Sequence, residues 1–399
     1  MAKSANFEIE QTTRTDTEVL LCVHSMAPEA LEPFLRRLHE VLAGSSVTVA
    51  LPEAGDGTLP STPFHIIQYK PAATAATEWT LTAADYLNAY ELAQECKAET
   101  VLLLGAEAQS LEPEALQRMI RSATQERCDL VLPRYALPAR AGLVNSAILY
   151  PISRALFGAV PRFPLAIDLC FSARMGARLG AAAQRLSGPN YGEGLVWAVA
   201  EATVAGFSIA EVDVGTRELP PPSGQDLNSV LAQVTGSLFA DVDAKAAFWQ
   251  RARVARMRPV SEPTDAGVET PADEIRSMVE GFRMAYGNLA EIWSLVLPPQ
   301  SLLGLKRLSA VPAESFVMAD ALWARIVYDF LLAYRLRTMN RGHLLGALTP
   351  LYLAWVASHL VQTAETRAFE RHIESVAAAF EAEKPYLVSR WRWPDRFNP

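Results

Sequence analysis

The sequence predicts an α/β protein, a doubly wound and mostly parallel sheet followed by a helical domain, on three observations. Through the first half, short apolar runs that suit strands alternate with segments of helical period. A stretch rich in Pro and acids, residues 258–271, then interrupts the chain. Beyond it nearly every segment has helical period. At 399 residues the chain is too long for one ordinary core, so two domains are expected, 1–257 and 272–399, joined by that linker.

Val19–Val23 reads as a first strand, and Pro28–Ala43 as a helix with Leu31, Phe34, Leu38 and Leu42 on one face and Pro28 in its first turn. Val47–Leu51 and His65–Gln68 are the next strands, separated by a turn at EAGDG. Thr82 caps a helix that runs to Cys96. Val101–Leu104 does not alternate, which marks a strand buried on both faces. Pro113 opens another helix, and Leu130–Leu132 is a strand. A Pro/Arg/Gly loop comes after it, then an apolar helical segment, then a second loop carrying the acid Asp168. Gly194–Gly206 is helical, Ser208–Val214 alternates like a half-solvated strand, and a helix runs from about Leu227 to Arg253. Helices are then expected over Ala272–Leu295, Ala319–Arg337, Arg341–Val361 and Glu365–Arg390. The stripe Trp323, Ile326, Val327, Phe330, Leu331 and Tyr334 reads as core, and the helical domain as packing on the α/β domain or, as a homo-oligomer, on a second subunit.

Composition excludes several classes of function. Half of the residues are apolar and 20% are charged, so the chain is globular, and a net charge of −8 gives no general attraction to nucleic acid or anionic lipid. The four cysteines form no CxxC pair and suit buried thiols. The first 18 residues lack the apolar core of a signal peptide, and Leu344–Val361 is interrupted by Thr349, Pro350, Ser358 and His359. A cytoplasmic protein without an integral membrane segment is therefore expected. No GxGxxG follows the first strand and no GxSxG elbow occurs, which argues against a dinucleotide oxidoreductase and a serine hydrolase.

Residues 129–175 place two polar lips at one edge of the sheet, where open α/β folds bind ligands. DLVLPRY, GLVNSAILYPISRALFG, FPLAIDLCFS and NYGEGLVWAVAEATVAGF, with LWARIVYDFLLAY and HLLGALTPLYLAWVAS further on, resemble in order and spacing the retaining GT-A-fold glycosyltransferases. The resemblance is to the branch similar to mannosylglycerate synthases and glucosyl-3-phosphoglycerate synthases. It implies a nucleotide-sugar donor, a small acidic acceptor such as glycerate or phosphoglycerate, and a divalent metal, Mg²⁺ or Mn²⁺, that stabilises the leaving diphosphate.

Laid on this sequence, the family's Asp-x-Asp metal pair falls on Gly105 and Glu107, and its metal histidine on Leu219. In an active enzyme Glu107 is then the residual metal ligand, or the site is metal-independent with arginines neutralising the leaving diphosphate; in an inactive one no metal is expected. The acid of the tyrosine-glycine segment falls on Gly194, with Glu193 one residue earlier as a substitute and candidate catalytic group. One residue turns a side chain by about 100° at a helix mouth. Glu53, Asp56 and Lys70 are the donor-binding candidates beside Gly105 and Glu107, with plain surface turns as the other reading. Arg134, Arg140, Gly142 and Asn145 are the acceptor-binding candidates, and Arg154 and Arg162 lie on the same lips, with a solvated loop and helix surface as the other reading for at least two of the four arginines. Asp168 is either hydrogen-bonded structure or a catalytic or acceptor contact. Two functions remain open: an active glycosyltransferase, and a pseudoenzyme of the same fold kept as a binding, regulatory or scaffold subunit.

Overall fold

A computed structural model describes residues 17–23, 26–53, 60–71, 78–138, 140–186, 194–222, 225–252, 272–364 and 369–393. The linker expected at 258–271 lies outside them. By its contacts the chain divides into two units, residues 1–137 with 161–224, and residues 138–160 with 225–399.

The first unit holds a seven-stranded sheet in the order β3-β2-β1-β4-β6-β5-β7. The strands are β1 (Val19–Val23), β2 (Val47–Pro52), β3 (His65–Tyr69), β4 (Thr100–Leu104), β5 (Leu130–Ala136), β6 (Asp168–Ser172) and β7 (Ile209–Thr216). All pair in parallel except β6, which runs antiparallel between β4 and β5. The chain winds outward from β1 to β3 and returns to β4, so the direction of winding reverses between β1 and β4. Central β1 and β4 are buried at every position, as their unbroken apolar runs require. Helices α1 (Pro28–Val41), α2 (Ala83–Glu95), α3 (Pro113–Thr124), α5 (Ala173–Arg185) and α6 (Ala198–Ala205) belong to this unit. Pro28 and Pro113 occupy first turns, and Thr82 opens α2 in a capping box whose Asp85 carboxylate accepts from the Thr82 main-chain N–H at 2.7 Å.

Two elements differ from expectation in ways that shape the site. Asp168, expected within a loop, is instead the first residue of β6, where it pairs with Leu104 of β4, and the loop ends at Ile167 before it. β5 does not end at Leu132 but continues to Ala136; beyond Val131 it pairs with β7 alone, and with a strand on one side only, Pro133 is tolerated. The β5–β7 register skips Val214. This bulge centres on Gly215, whose φ of +72° suits glycine.

Among the described residues the regular elements of the second unit are all helical. It comprises α4 (Tyr150–Ile152) between two π turns (Asn145–Leu149 and Ser153–Phe157), α7 (Leu227–Ala244), α8 (Ala246–Trp249), α9 (Ala272–Ser294), α10 (Pro299–Ser309), α11 (Asp320–Leu336), α12 (Arg341–Thr363) and α13 (Phe369–Arg392). The α11 stripe from Trp323 to Tyr334 is buried, and the Trp323 indole donates to the Ala147 carbonyl at 2.8 Å, so the stripe is core. α12 is long and apolar enough to cross a membrane, but 72% of its most apolar window is buried within the protein, as in a core helix. The α/β class expected from sequence, a mostly parallel doubly wound sheet with a helical C-terminal part, is the one observed.

Candidate functional site

The carboxyl ends of β4, β5 and β7 and the start of β6 converge on one buried ion pair that sequence reasoning missed. Arg217, just beyond β7, and Asp168, the first residue of β6, both have side chains with no exposed surface. Arg217 Nε donates to Asp168 Oδ2 at 2.8 Å and Nη2 to Oδ1 at 3.2 Å, a bidentate fork. The remaining donors reach protein oxygens. Nη2 also meets the Ala106 carbonyl at 2.6 Å, while Nη1 meets the carbonyls of Glu107 and Glu218 and the Ser110 hydroxyl. A guanidinium has five N–H groups, and six acceptor atoms surround this one. It is saturated.

Asp168 is equally engaged. Oδ1 also accepts from the Gly105 main-chain N–H at 3.2 Å, and Oδ2 from the Tyr135 hydroxyl at 2.9 Å. Burial, reinforced by the Asp168 charge, pushes the Tyr135 phenol well above its ordinary range, so it stays a donor. The two readings of Asp168 left open by sequence thus meet a carboxylate held on all sides within the sheet.

The expected metal positions lie around this pair. A Cβ on Gly105 would stand 2.7 Å from the Ile167 carbonyl oxygen and 3.1 Å from its Cβ, so the backbone has closed over the place a side chain would occupy. Glu107 adopts φ +60°, a left-handed turn that is strained for a residue with a Cβ. That turn presents the Ala106 and Glu107 carbonyls to Arg217. The half-buried Glu107 side chain accepts from Gln109 Nε2 at 2.6 Å. Leu219, at the histidine position, is an apolar residue packed against the core. The donor set does not fit a divalent ion: one position has no side chain, one carboxylate is bonded to glutamine, and the buried carboxylate between them is occupied by arginine. Among the described residues no group of three or more His, Cys, Asp and Glu could hold a metal.

The other expected residues divide between the two units. Glu53 and Lys70 are exposed just past the paired strand ends Pro52 and Tyr69, and the Glu53 main-chain N–H bonds the Tyr69 carbonyl at 3.0 Å. Asp56 and Glu193 lie outside the described residues. Arg134 stands 3.9 Å from Glu211, whose carboxylate also accepts from the Arg162 main-chain N–H, and Arg162 is buried with its guanidinium 4.9 Å over the Phe163 ring. In the helical unit Arg140 pairs with Glu274 at 2.6 Å, Gly142 has φ +65°, and Asn145 lies inside an already helical turn because Val144 before it is helical. Arg154 is held between Glu374 and Glu381 of α13. Each of the four arginines therefore has an acidic or aromatic protein partner.

No protein-family model and no curated protein sequence matches the chain. Among solved structures, glucosyl-3-phosphoglycerate synthase from Mycobacterium tuberculosis with Mn²⁺, UDP-glucose and phosphoglyceric acid is 13% identical with a TM-score of 0.34, over 57% of this chain and 79% of that one. The same enzyme with Mg²⁺ and UDP is 12% identical with a TM-score of 0.36 over the same shares. A mycobacterial protein is 12% identical with a TM-score of 0.35, over 61% of this chain and 84% of that one. These likenesses are faint, and the fold class stands on the sheet itself.

Proposed function

We propose that this is a glycosyltransferase-like protein whose sheet edge serves binding instead of metal-assisted sugar transfer, a pseudoenzyme acting as a binding, regulatory or scaffold subunit. The observation that carries this reading is the saturated Arg217–Asp168 pair beneath Gly105. Cleaving a nucleotide-sugar leaves a diphosphate whose developing charge must be neutralised by a cation aimed at it. A hard divalent cation takes carboxylate oxygens, and here Gly105 offers none, Asp168 has its lone pairs filled, and Glu107 is bonded to Gln109. A guanidinium could neutralise a diphosphate instead, but the N–H groups of Arg217 are already turned to protein oxygens. The arginines expected to bind an acidic acceptor are engaged as well.

Calorimetric titration of the purified protein with UDP and GDP, each with and without Mn²⁺ or Mg²⁺, tests the proposal, followed by a product assay with UDP-glucose and phosphoglycerate. The expected result is nucleotide affinity that metal does not change, or no affinity, and no glycosylated product. Metal-dependent nucleotide binding accompanied by product would overturn it and establish the alternative, retaining transfer from a nucleotide-sugar to a small acidic acceptor on a divalent ion.

A further inference from the structure

The atoms around the Arg217 guanidinium are those that commonly surround a hard cation: two carboxylate oxygens of Asp168, the carbonyls of Ala106, Glu107 and Glu218, and the Ser110 hydroxyl. We propose that Arg217 is a built-in cation filling an oxygen cage at the sheet edge, and that removing its side chain converts the cage into a site for Ca²⁺ or Mn²⁺. The inference shares with the proposed function the reading that the native protein holds no divalent ion there.

The cage is braced without help from the arginine. Ser110 Oγ donates to the Glu107 carbonyl at 2.7 Å and accepts from the Glu218 main-chain N–H at 3.2 Å, tying the β4 loop to the end of β7. Gly105 N–H and Tyr135 O–H hold the two oxygens of Asp168. Oxygens of one sign that converge in a water-excluded interior repel one another unless positive charge stands between them. The left-handed turn at Glu107 turns the Ala106 and Glu107 carbonyls toward the guanidinium, which donates to both. A guanidinium is broader than a metal ion, so the cage suits Ca²⁺, which accepts flexible coordination by six to eight oxygens, better than Mg²⁺, which demands a tight octahedron.

The test is thermal melting of the full-length R217A variant with CaCl₂, MnCl₂ or low-millimolar guanidinium chloride. The variant is expected to melt about 10 °C below the native protein and to recover saturably with Ca²⁺, Mn²⁺ or guanidinium. The native protein and an R217A/D168N double variant should not respond. A folded R217A whose melting no cation raises, or cation effects equal in the native protein and the double variant, would overturn the proposal. If R217A does not fold, R217K and R217M decide. A lysine ammonium in the cage should melt several degrees above the neutral methionine, and equal melting would refute a cation cage. Nucleotide binding by the native protein enters none of these outcomes, so this inference and the proposed function fail separately.

Discussion

Two buried arginines, one in each unit, solve the same problem in different ways. Arg217 meets a single carboxylate and completes its bonding with main-chain carbonyls, in a place with no exposed side-chain surface. Arg154 meets two carboxylates, Glu374 and Glu381, whose side chains are 30% and 19% exposed, and donates as well to the Tyr150 hydroxyl. Burial acts to lower the Arg154 guanidinium, but its hydrogen bonds to Glu381 and Tyr150 outweigh that and raise it above its ordinary range. The contrast separates an ion pair that fills a site from one that fastens a joint. The first leaves no solvent to replace a lost partner, whereas the second ties α4 and its π turns to α13 at a rim that water can reach.

Breaking the sheet-edge pair should therefore cost most. D168N leaves a buried guanidinium without its counter-charge, and urea unfolding should show a loss of about 3–5 kcal/mol. R154M removes charge-assisted hydrogen bonds but leaves both glutamates partly hydrated, so the same measurement should show about 1.5–3 kcal/mol. G105A tests the closure over the expected metal position. Its methyl group would meet the Ile167 carbonyl, and a loss of about 1–3 kcal/mol is expected from overpacking. A neutral result would mean that the backbone there can yield to a side chain.

The smallest effect is a dependence on pH. Asp329 of α11 is buried, with Oδ1 bonded by Tyr386 and Arg390 of α13 and Oδ2 without a hydrogen-bond partner among the described residues. Burial pushes its carboxyl up to about 7, against the opposing pull of Arg390 and Tyr386. A folded value above the unfolded one favours the protonated form, so this contribution to stability is complete at low pH and fades as pH rises through about 7. Urea titrations at pH 6 and pH 8 should differ by on the order of 1 kcal/mol, more stable at pH 6 as far as this group is concerned. D329N should remove the difference, and a difference that persists in it would assign the pH effect elsewhere.

Much of the fold was legible. The buried strands Val19–Val23 and Thr100–Leu104, the starts at Pro28, Thr82 and Pro113, and the α11 stripe each arise from local rules that the tertiary structure had no reason to override. The helix α10, Pro299–Ser309, was missed because only Ser301, Leu305 and Leu308 are buried along it, too few for a clear period. For the site, sequence identified Gly105, Glu107 and Asp168 as positions of interest but not what joins them. Their partner lay in GTRELPPP, where nothing local marks one arginine as buried.

What the sequence determined by itself is the alternation of strands and helices, the helical second half, and the absence of a side chain at Gly105, because periodicity and residue identity are local. Only the tertiary structure decided that Arg217 turns inward. Strict alternation from the buried Val214 would put Thr216 inside and Arg217 in solvent, yet Thr216 is exposed and Arg217 is buried. The bulge at Gly215 adds one residue to the edge strand and reverses the facing of Thr216 and Arg217. The antiparallel insertion of β6 then brings Asp168 to meet the inward guanidinium. Both events depend on pairing between segments distant in the chain, which no local pattern records.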